Sequence, residues 1–261
     1  MATGVLPVCI GKATRIIEYY DGDRKSYHAA MQLGIVTDTL DITGTVTEEN
    51  GFSGVSEDAV RKAFAEYQGV VTQIPPKYSA LKINGKRAYD LARSGEDFEI
   101  KGREITIFSN EITSLDPEKG LIEFDVTCSK GTYIRTICDD IGRTLGCGAA
   151  MTALTRTANG FFRLEDAADI NDLVKMSDEE IAGRVIPMDR TLISVGTIEL
   201  NDNRITAFIS GNTSYGRVFR ITEACRARQD GEPAYKVYGG GRFLGIGTVE
   251  KDVLIPRKVL V

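Results

Sequence analysis

Ser26-Tyr27-His28-Ala29-Ala30-Met31-Gln32-Leu33 is the stretch on which the fold class turns. Apolar and polar residues alternate, so it reads as a half-buried strand with Tyr27, Ala29, Met31 and Leu33 on one face and His28 on the other. Ile105 and Ile107 face Ile122, Phe124, Val126 and Cys128 across Asp116-Pro117-Glu118-Lys119-Gly120, a β-hairpin pattern. Helical spacing takes over elsewhere. Ser56 reads as an N-cap before Val60, Ala63, Phe64 and Tyr67, with Gly69 as the stop. Pro75-Pro76 breaks the chain, and a short helix ends at Gly95. Ile134, Ile137, Ile141 and Leu145 mark a helix closed by Gly146, and Ser177 with Glu180 spells a capping box. From Val195 the pattern changes to short strands with Gly-rich turns, including Gly239-Gly240-Gly241. The expected organisation is a mixed α+β domain over 1–190 and a small β-rich domain over 191–261.

Composition narrows the chemistry. The 261 residues carry 32 Lys+Arg against 37 Asp+Glu, a formal net charge of −5, which taken alone argues against a nucleic-acid binder. Hydrophobic residues at 42% can build a core, which excludes whole-chain disorder. No run approaches 18 apolar residues, so no membrane span is expected, and Met1 to Pro7 has neither a basic n-region nor an h-region. Cys9, Cys128, Cys138, Cys147 and Cys225 form no Cys-x-x-Cys pair, which argues for free thiols in a reducing cytoplasm. His28 is the only histidine, which excludes most zinc sites and leaves one candidate for any Ser-His-Asp triad.

The charge is unevenly spread. Residues 1–160 hold 18 basic and 22 acidic side chains, residues 161–202 hold 4 and 10, and residues 203–261 hold 10 and 5. Between 77 and 93, Lys77, Lys82, Lys86, Arg87 and Arg93 outnumber Asp90. Local basic stretches can contact phosphates inside an acidic chain, although a solvated surface reads the same way.

Five segments stand in order along the chain: the run from Ala2-Thr3-Gly4-Val5-Leu6-Pro7 to Arg15; Tyr27 with Leu33-Gly34 and Thr37-Asp38-Thr39-Leu40-Asp41-Ile42-Thr43-Gly44; Gln73-Ile74-Pro75-Pro76-Lys77-Tyr78-Ser79-Ala80-Leu81-Lys82 with Gly85-Lys86 and Ala88-Tyr89; Cys128-Ser129-Lys130-Gly131-Thr132-Tyr133-Ile134-Arg135-Thr136; and Leu154-Thr155-Arg156-Thr157. Together they resemble the TruB-type tRNA pseudouridine synthases. Arg242 to Gly247 and Ile255-Pro256-Arg257-Lys258 resemble, more loosely, a PUA-type RNA-binding module. The resemblance implies a mixed, mainly antiparallel central sheet flanked by helices. It also implies base flipping and conversion of a T-loop uridine (position 55) in tRNA to pseudouridine, without cofactor or metal, by a cytoplasmic enzyme; a monomer is the default expectation.

The same resemblance assigns roles residue by residue. Tyr27 would stack on the flipped base and is a candidate to remove the C5 proton; by alternation alone it is an ordinary core aromatic. Arg135 would pair with the family's catalytic Asp. Tyr133 and Leu154 would wall the uracil, and Lys130 beside Gly131-Thr132 would contact phosphate. Lys77, Lys82, Lys86, Arg87, Arg257 and Lys258 would contact RNA. In the family, Gly-Thr-Leu-Asp-Pro plus one residue precedes the Ala-Thr-Gly run, which sets the nucleophilic Asp two residues ahead of Met1. Residues 1–261 are therefore expected to be inactive, with Arg135 either seeking an anion or borrowing another acid, and with a bare sheet edge or open groove beside Tyr27 and Arg135. Asp38 and Asp41 could be metal ligands or substitute nucleophiles, but both belong to a motif that accompanies the true nucleophile. The alternative is a non-catalytic tRNA-binding or tRNA-folding protein.

Overall fold

A computed structural model describes residues 2–20, 22–96, 98–225 and 233–261. Their contacts divide the chain into two units.

The first unit takes residues 2–6 and 22–167. Its elements are β1 (Ala2–Gly4), β2 (Arg24–Leu33), β3 (Ile35–Thr37), β4 (Val46–Glu49), α1 (Glu57–Glu66), β5 (Gly69–Gln73), β6 (Lys82–Ile83), β7 (Lys86–Arg87), α2 (Ala88–Arg93), β8 (Arg103–Asp116), β9 (Leu121–Ser129), α3 (Ile134–Thr144), β10 (Ala149–Asn159) and β11 (Phe162–Arg163). Seven strands form one sheet in the order β1-β10-β2-β9-β8-β5, with β11 on β10. β1 runs parallel to β10, and the other neighbours are antiparallel. This is the mixed, mainly antiparallel sheet expected. β3–β4 and β6–β7 are separate ribbons.

The alternation read in the sequence is the burial pattern. Ala29, Met31 and Leu33 are buried, and Tyr27 packs at the margin of the same core with Ile122, Phe124, Val126 and Cys128 of β9. α3 lays Ile134, Ile137 and Ile141 on this face, and α1 adds Val60 and Phe64. The Ser56 hydroxyl accepts from Ala59 N at 3.2 Å, capping α1 as expected. Gly142 lets α3 touch β10, since a Cβ there would lie 2.3 Å from Ala149 N.

The second unit takes residues 7–20 and 168–261 as described. A 3₁₀ segment (Gly11–Tyr19) is followed by α4 (Ile170–Leu173), α5 (Asp178–Arg184), β12 (Gly196–Leu200), α6 (Ile205–Ile209), β13 (Ser214–Tyr215), β14 (Phe219–Glu223), β15 (Ala234–Gly239), β16 (Arg242–Glu250) and β17 (Val253–Val259). Six strands pair in the order β13-β17-β16-β15-β12-β14. The capping box at Ser177 and Glu180 is present.

The units divide at 167/168 rather than at 190/191, and residues 7–20 go with the C-terminal unit. The cause is packing. Ile16 is buried with Leu192, Val195, Ala234, Ile246 and Leu260, and Lys12 and Arg15 donate to the carbonyls of Val261 and Val259 at 2.6 and 2.7 Å. No helix among the described residues is long and apolar enough to cross a membrane.

Candidate active site

α3 begins at a Gly131-Thr132-Tyr133 turn, and its first turn carries Arg135. The guanidinium is mostly buried and makes three hydrogen bonds. Nη1 donates to Thr39 O at 3.0 Å and to Asp41 Oδ2 at 3.1 Å, and Nη2 donates to Tyr78 O at 3.0 Å. Two segments far apart in sequence are thereby pinned to the start of one helix.

Asp41 is built to stay ionised. Its Oδ1 accepts from Thr43 N at 3.0 Å and from the hydroxyls of Thr43 and Thr39. Burial pushes its carboxyl upward, but the Thr43 and Thr39 bonds and the Arg135 charge outweigh that and hold it below the usual carboxylate range. The loop is tight around it: Asp38 Oδ1 accepts from Thr45 N at 2.8 Å, and a Cβ on Gly44 would strike Thr39 and Asp38. The loop is also stitched to the sheet. Met151 N donates to Leu40 O and Ile42 N to Met151 O, so Asp41 forms a parallel bridge with Met151 of β10. β1 pairs in the same sense with Leu154 to Arg156 further along β10.

Tyr27 stands opposite Arg156 across β2 and β10, and Leu154 stands opposite Ala29. Tyr27, Arg156 and Leu154 therefore share the sheet face on which α3 packs. Burial raises the Tyr27 phenol above its ordinary value; Cys128 adds to this, while the Arg156 charge and hydrogen bond oppose it. Arg156 also fixes the chain leaving β1: its Nε donates to Val5 O at 2.7 Å, and Val5 N returns a bond to Arg156 O. His28 lies on the other face, its Nδ1 2.8 Å from Asp125 Oδ1.

Tyr133 is the N-cap residue of α3, with Arg103 stacked over its ring at 5.0 Å. Lys130 Nζ lies 3.0 Å from Asp23 Oδ1, so a phosphate would have to compete with that acid. Lys77 lines a cleft of about 870 Å³ with Tyr78, Leu40, Thr136 and Asp139. Lys82 is exposed on β6, and Lys86 lies 3.4 Å from Glu96. Arg87 donates to the Tyr89 hydroxyl at 3.1 Å. In the second unit, Arg257 pairs with Glu250 at 3.0 Å and Lys258 with Glu18 at 2.7 Å.

Arg135 is paired with Asp41 rather than left without an acid. The outer edge of β10 is likewise only partly bare: β1 covers 154–156, and the Asp41 loop bridges it at Met151. Among the described residues no cluster of three or more His, Cys, Asp or Glu could hold a metal ion. Sequence reasoning missed Asp41 as the Arg135 partner, Arg156 as the Tyr27 neighbour, and Gln73. The signal for Gln73 was available: a polar residue at an inward strand position, heading Gln-Ile-Pro-Pro.

Comparison with known proteins bears on the family and the fold. The profile for "TruB family pseudouridylate synthase (N terminal domain)" matches residues 1–134, and that for "tRNA pseudouridylate synthase B C-terminal domain" matches 135–193. The chain is 38% identical over 265 residues to tRNA pseudouridine synthase B of Clostridium perfringens, covering 100% of this chain and 86% of that protein. It is 42% identical over 258 residues to the protein of that name from Alkaliphilus oremlandii, covering 96% and 81%. Its fold matches the crystal structure of a Cbf5-Nop10-Gar1 complex with a TM-score of 0.70 at 22% identity, covering 100% of this chain and 73% of that one.

Proposed function

The chain belongs to the TruB family of pseudouridine synthases, and from that premise we propose that its substrate is the T-loop uridine at position 55 of tRNA. The family converts uridine to pseudouridine: the N1–C1′ bond breaks, the base turns over, C5 joins C1′, and the C5 proton is lost while N1 gains one. A stacked base cannot be reached, so the uridine must be flipped into a pocket. The observation that carries this reading is the Arg135–Asp41 pair on the first turn of α3, over the sheet face that presents Tyr27 and Leu154. Tyr27 stacks on the base, and Tyr133 and Leu154 wall it; to take the C5 proton Tyr27 would have to react as the phenolate, which burial opposes and Arg156 favours. The reaction needs no cofactor and no metal, and the enzyme works as a cytoplasmic monomer. The first unit is the catalytic domain, and the second is a PUA-like RNA-binding domain.

The nucleophilic Asp is proposed to lie ahead of Ala2, in the family's Gly-Thr-Leu-Asp-Pro segment. β1 runs parallel to β10 with Ala2 facing Leu154, so the chain ahead of Ala2 would approach the edge of β10 where Asp41 already bridges Met151, and the nucleophile would neighbour the Arg135–Asp41 pair. Residues 1–261 alone would then bind RNA without turnover. Tritium release from tRNA labelled at uridine C5 tests this, with residues 1–261 compared with the same chain extended by Gly-Thr-Leu-Asp-Pro directly ahead of Met1. Turnover by both defeats the inactivity; turnover by neither favours a tRNA-binding or tRNA-folding protein. An in-frame Gly-Thr-Leu-Asp-Pro, or a stop codon, directly upstream of the Met1 codon separates the same readings.

A further inference from the structure

We propose that Gln73 is a positioning residue for the synthase site, fixing the first turn of α3 and with it Arg135 and Tyr133. The inference rests on the family-level reading for what Arg135 does, but its geometry stands alone. Gln73 is the last residue of β5 and has no exposed surface. Its amide is used at both ends by one residue: Oε1 accepts from Tyr133 N at 2.8 Å, and Nε2 donates to Tyr133 O at 3.1 Å. Tyr67 donates to Asp140 Oδ2 at 2.7 Å, which ties α3 down a second time, beyond its first turn.

One buried amide thus joins β5 to the N-cap of α3. The same stretch of chain that begins at Gln73 supplies the Tyr78 carbonyl that receives Arg135 Nη2. The residue facing Gln73 across β5 and β8 is Arg103, whose guanidinium stacks on the Tyr133 ring and donates to Gly131 O. The Gln73 amide is therefore spent at both ends on Tyr133, two residues before Arg135, and this sets the direction of Arg135.

The test uses residues 1–261 and needs no turnover. Gln73→Met keeps the volume and removes both bonds. Gln73→Glu keeps the acceptor, and it can donate to Tyr133 O only while its carboxyl is protonated, which burial favours. Tyr67, Asp140 and Arg103 are the titratable or charged groups facing it. The readout is the Arg135 guanidinium signals in ¹⁵N–¹H spectra, with amides of β9 as the control for intact folding. We expect Gln73→Met to shift or broaden the Arg135 signals at every pH while β9 is unchanged. Gln73→Glu should keep them at low pH and lose them as the new carboxyl ionises. Wild-type Arg135 signals in Gln73→Met, or a Gln73→Glu spectrum that follows the wild type at all pH values, would overturn the proposal. If Gln73→Met does not fold, the Gln73→Glu profile decides. In the extended chain that turns over, Gln73→Met should lower kcat by about 10²-fold, the scale of a 1 Å misplacement, with KM unchanged; an unchanged kcat also overturns it. Absence of turnover in the wild type counts against the synthase reading, not against the geometry.

Discussion

Arg135 and Asp41 form a charge pair that is mostly out of water, which sets the two residues apart from their surface counterparts. Removing one partner leaves the other desolvated, a cost of about 1–3 kcal/mol for a polar group and more for a charge. Asp41→Asn should therefore destabilise the protein at neutral pH. Because the folded carboxyl titrates below its unfolded value, which is about 3.9, its contribution is full above that value and fades as pH falls through the folded pKa. Urea melts of wild type and Asp41→Asn should differ by a constant amount above about pH 5, and the gap should shrink as pH falls below about 4. A gap of constant size from about pH 5 down to acid unfolding would show that the charge pair is not its source. Tyr27 makes a different kind of contribution. Tyr27→Phe should leave RNA affinity nearly unchanged and lower turnover in the extended chain, whereas Tyr27→Ala should also lose the stacking worth about 1–3 kcal/mol. Equal affinity for Tyr27→Ala and wild type, measured by filter binding, would remove Tyr27 from the base.

At the scale of elements, α3 is where sequence and structure meet most closely. Its apolar spacing and its Gly146 stop could be read directly, because a helix on a sheet announces its buried face by period. Gly142 could not be read that way: within a helix pattern it looks like a propensity defect of about 1 kcal/mol against Ala. The structure shows the opposite pressure, since an added Cβ would meet Ala149 N at 2.3 Å and Gly148 C at 2.4 Å. Both are backbone atoms that cannot rotate away, and overpacking of that kind typically costs about 1–3 kcal/mol. Gly142→Ala should thus lower Tm despite its better helix propensity; a raised Tm would mean that α3 can lift off β10 at little cost. The site was less legible than the helix. Asp41 was seen as part of a motif, but its contact with Arg135 joins positions 94 apart, and no local period reports such a pairing. Gln73 was hidden for the same reason, as its partner Tyr133 lies 60 positions away.

At the scale of the whole molecule, the net charge of −5 conceals how the basic groups are used. Counting side chains along the chain located the basic stretches at 77–93 and 203–261, but counting could not tell a free cation from one already neutralised. The structure separates them. Lys258 and Arg257 face Glu18 and Glu250, and Lys86 faces Glu96. Among the described residues no ion pair engages Lys77, Lys82 or Arg87. A cation already paired releases no counterion from RNA without first giving up its acid, so the unpaired group should dominate the salt dependence of binding. Each phosphate neutralised contributes about 0.7–0.9 to the slope of log K against log salt. Replacing Lys77 and Lys82 together by Ala should reduce the slope by about twice that amount, and should weaken binding by the same factor for tRNAs of different sequence. Replacing Lys258 by Ala should change the slope far less. Binding measured between about 50 and 200 mM salt checks both, on the scale over which such contacts are usually resolved. A slope that falls with Lys258 and holds without Lys77 and Lys82 would move the RNA contact to the second unit.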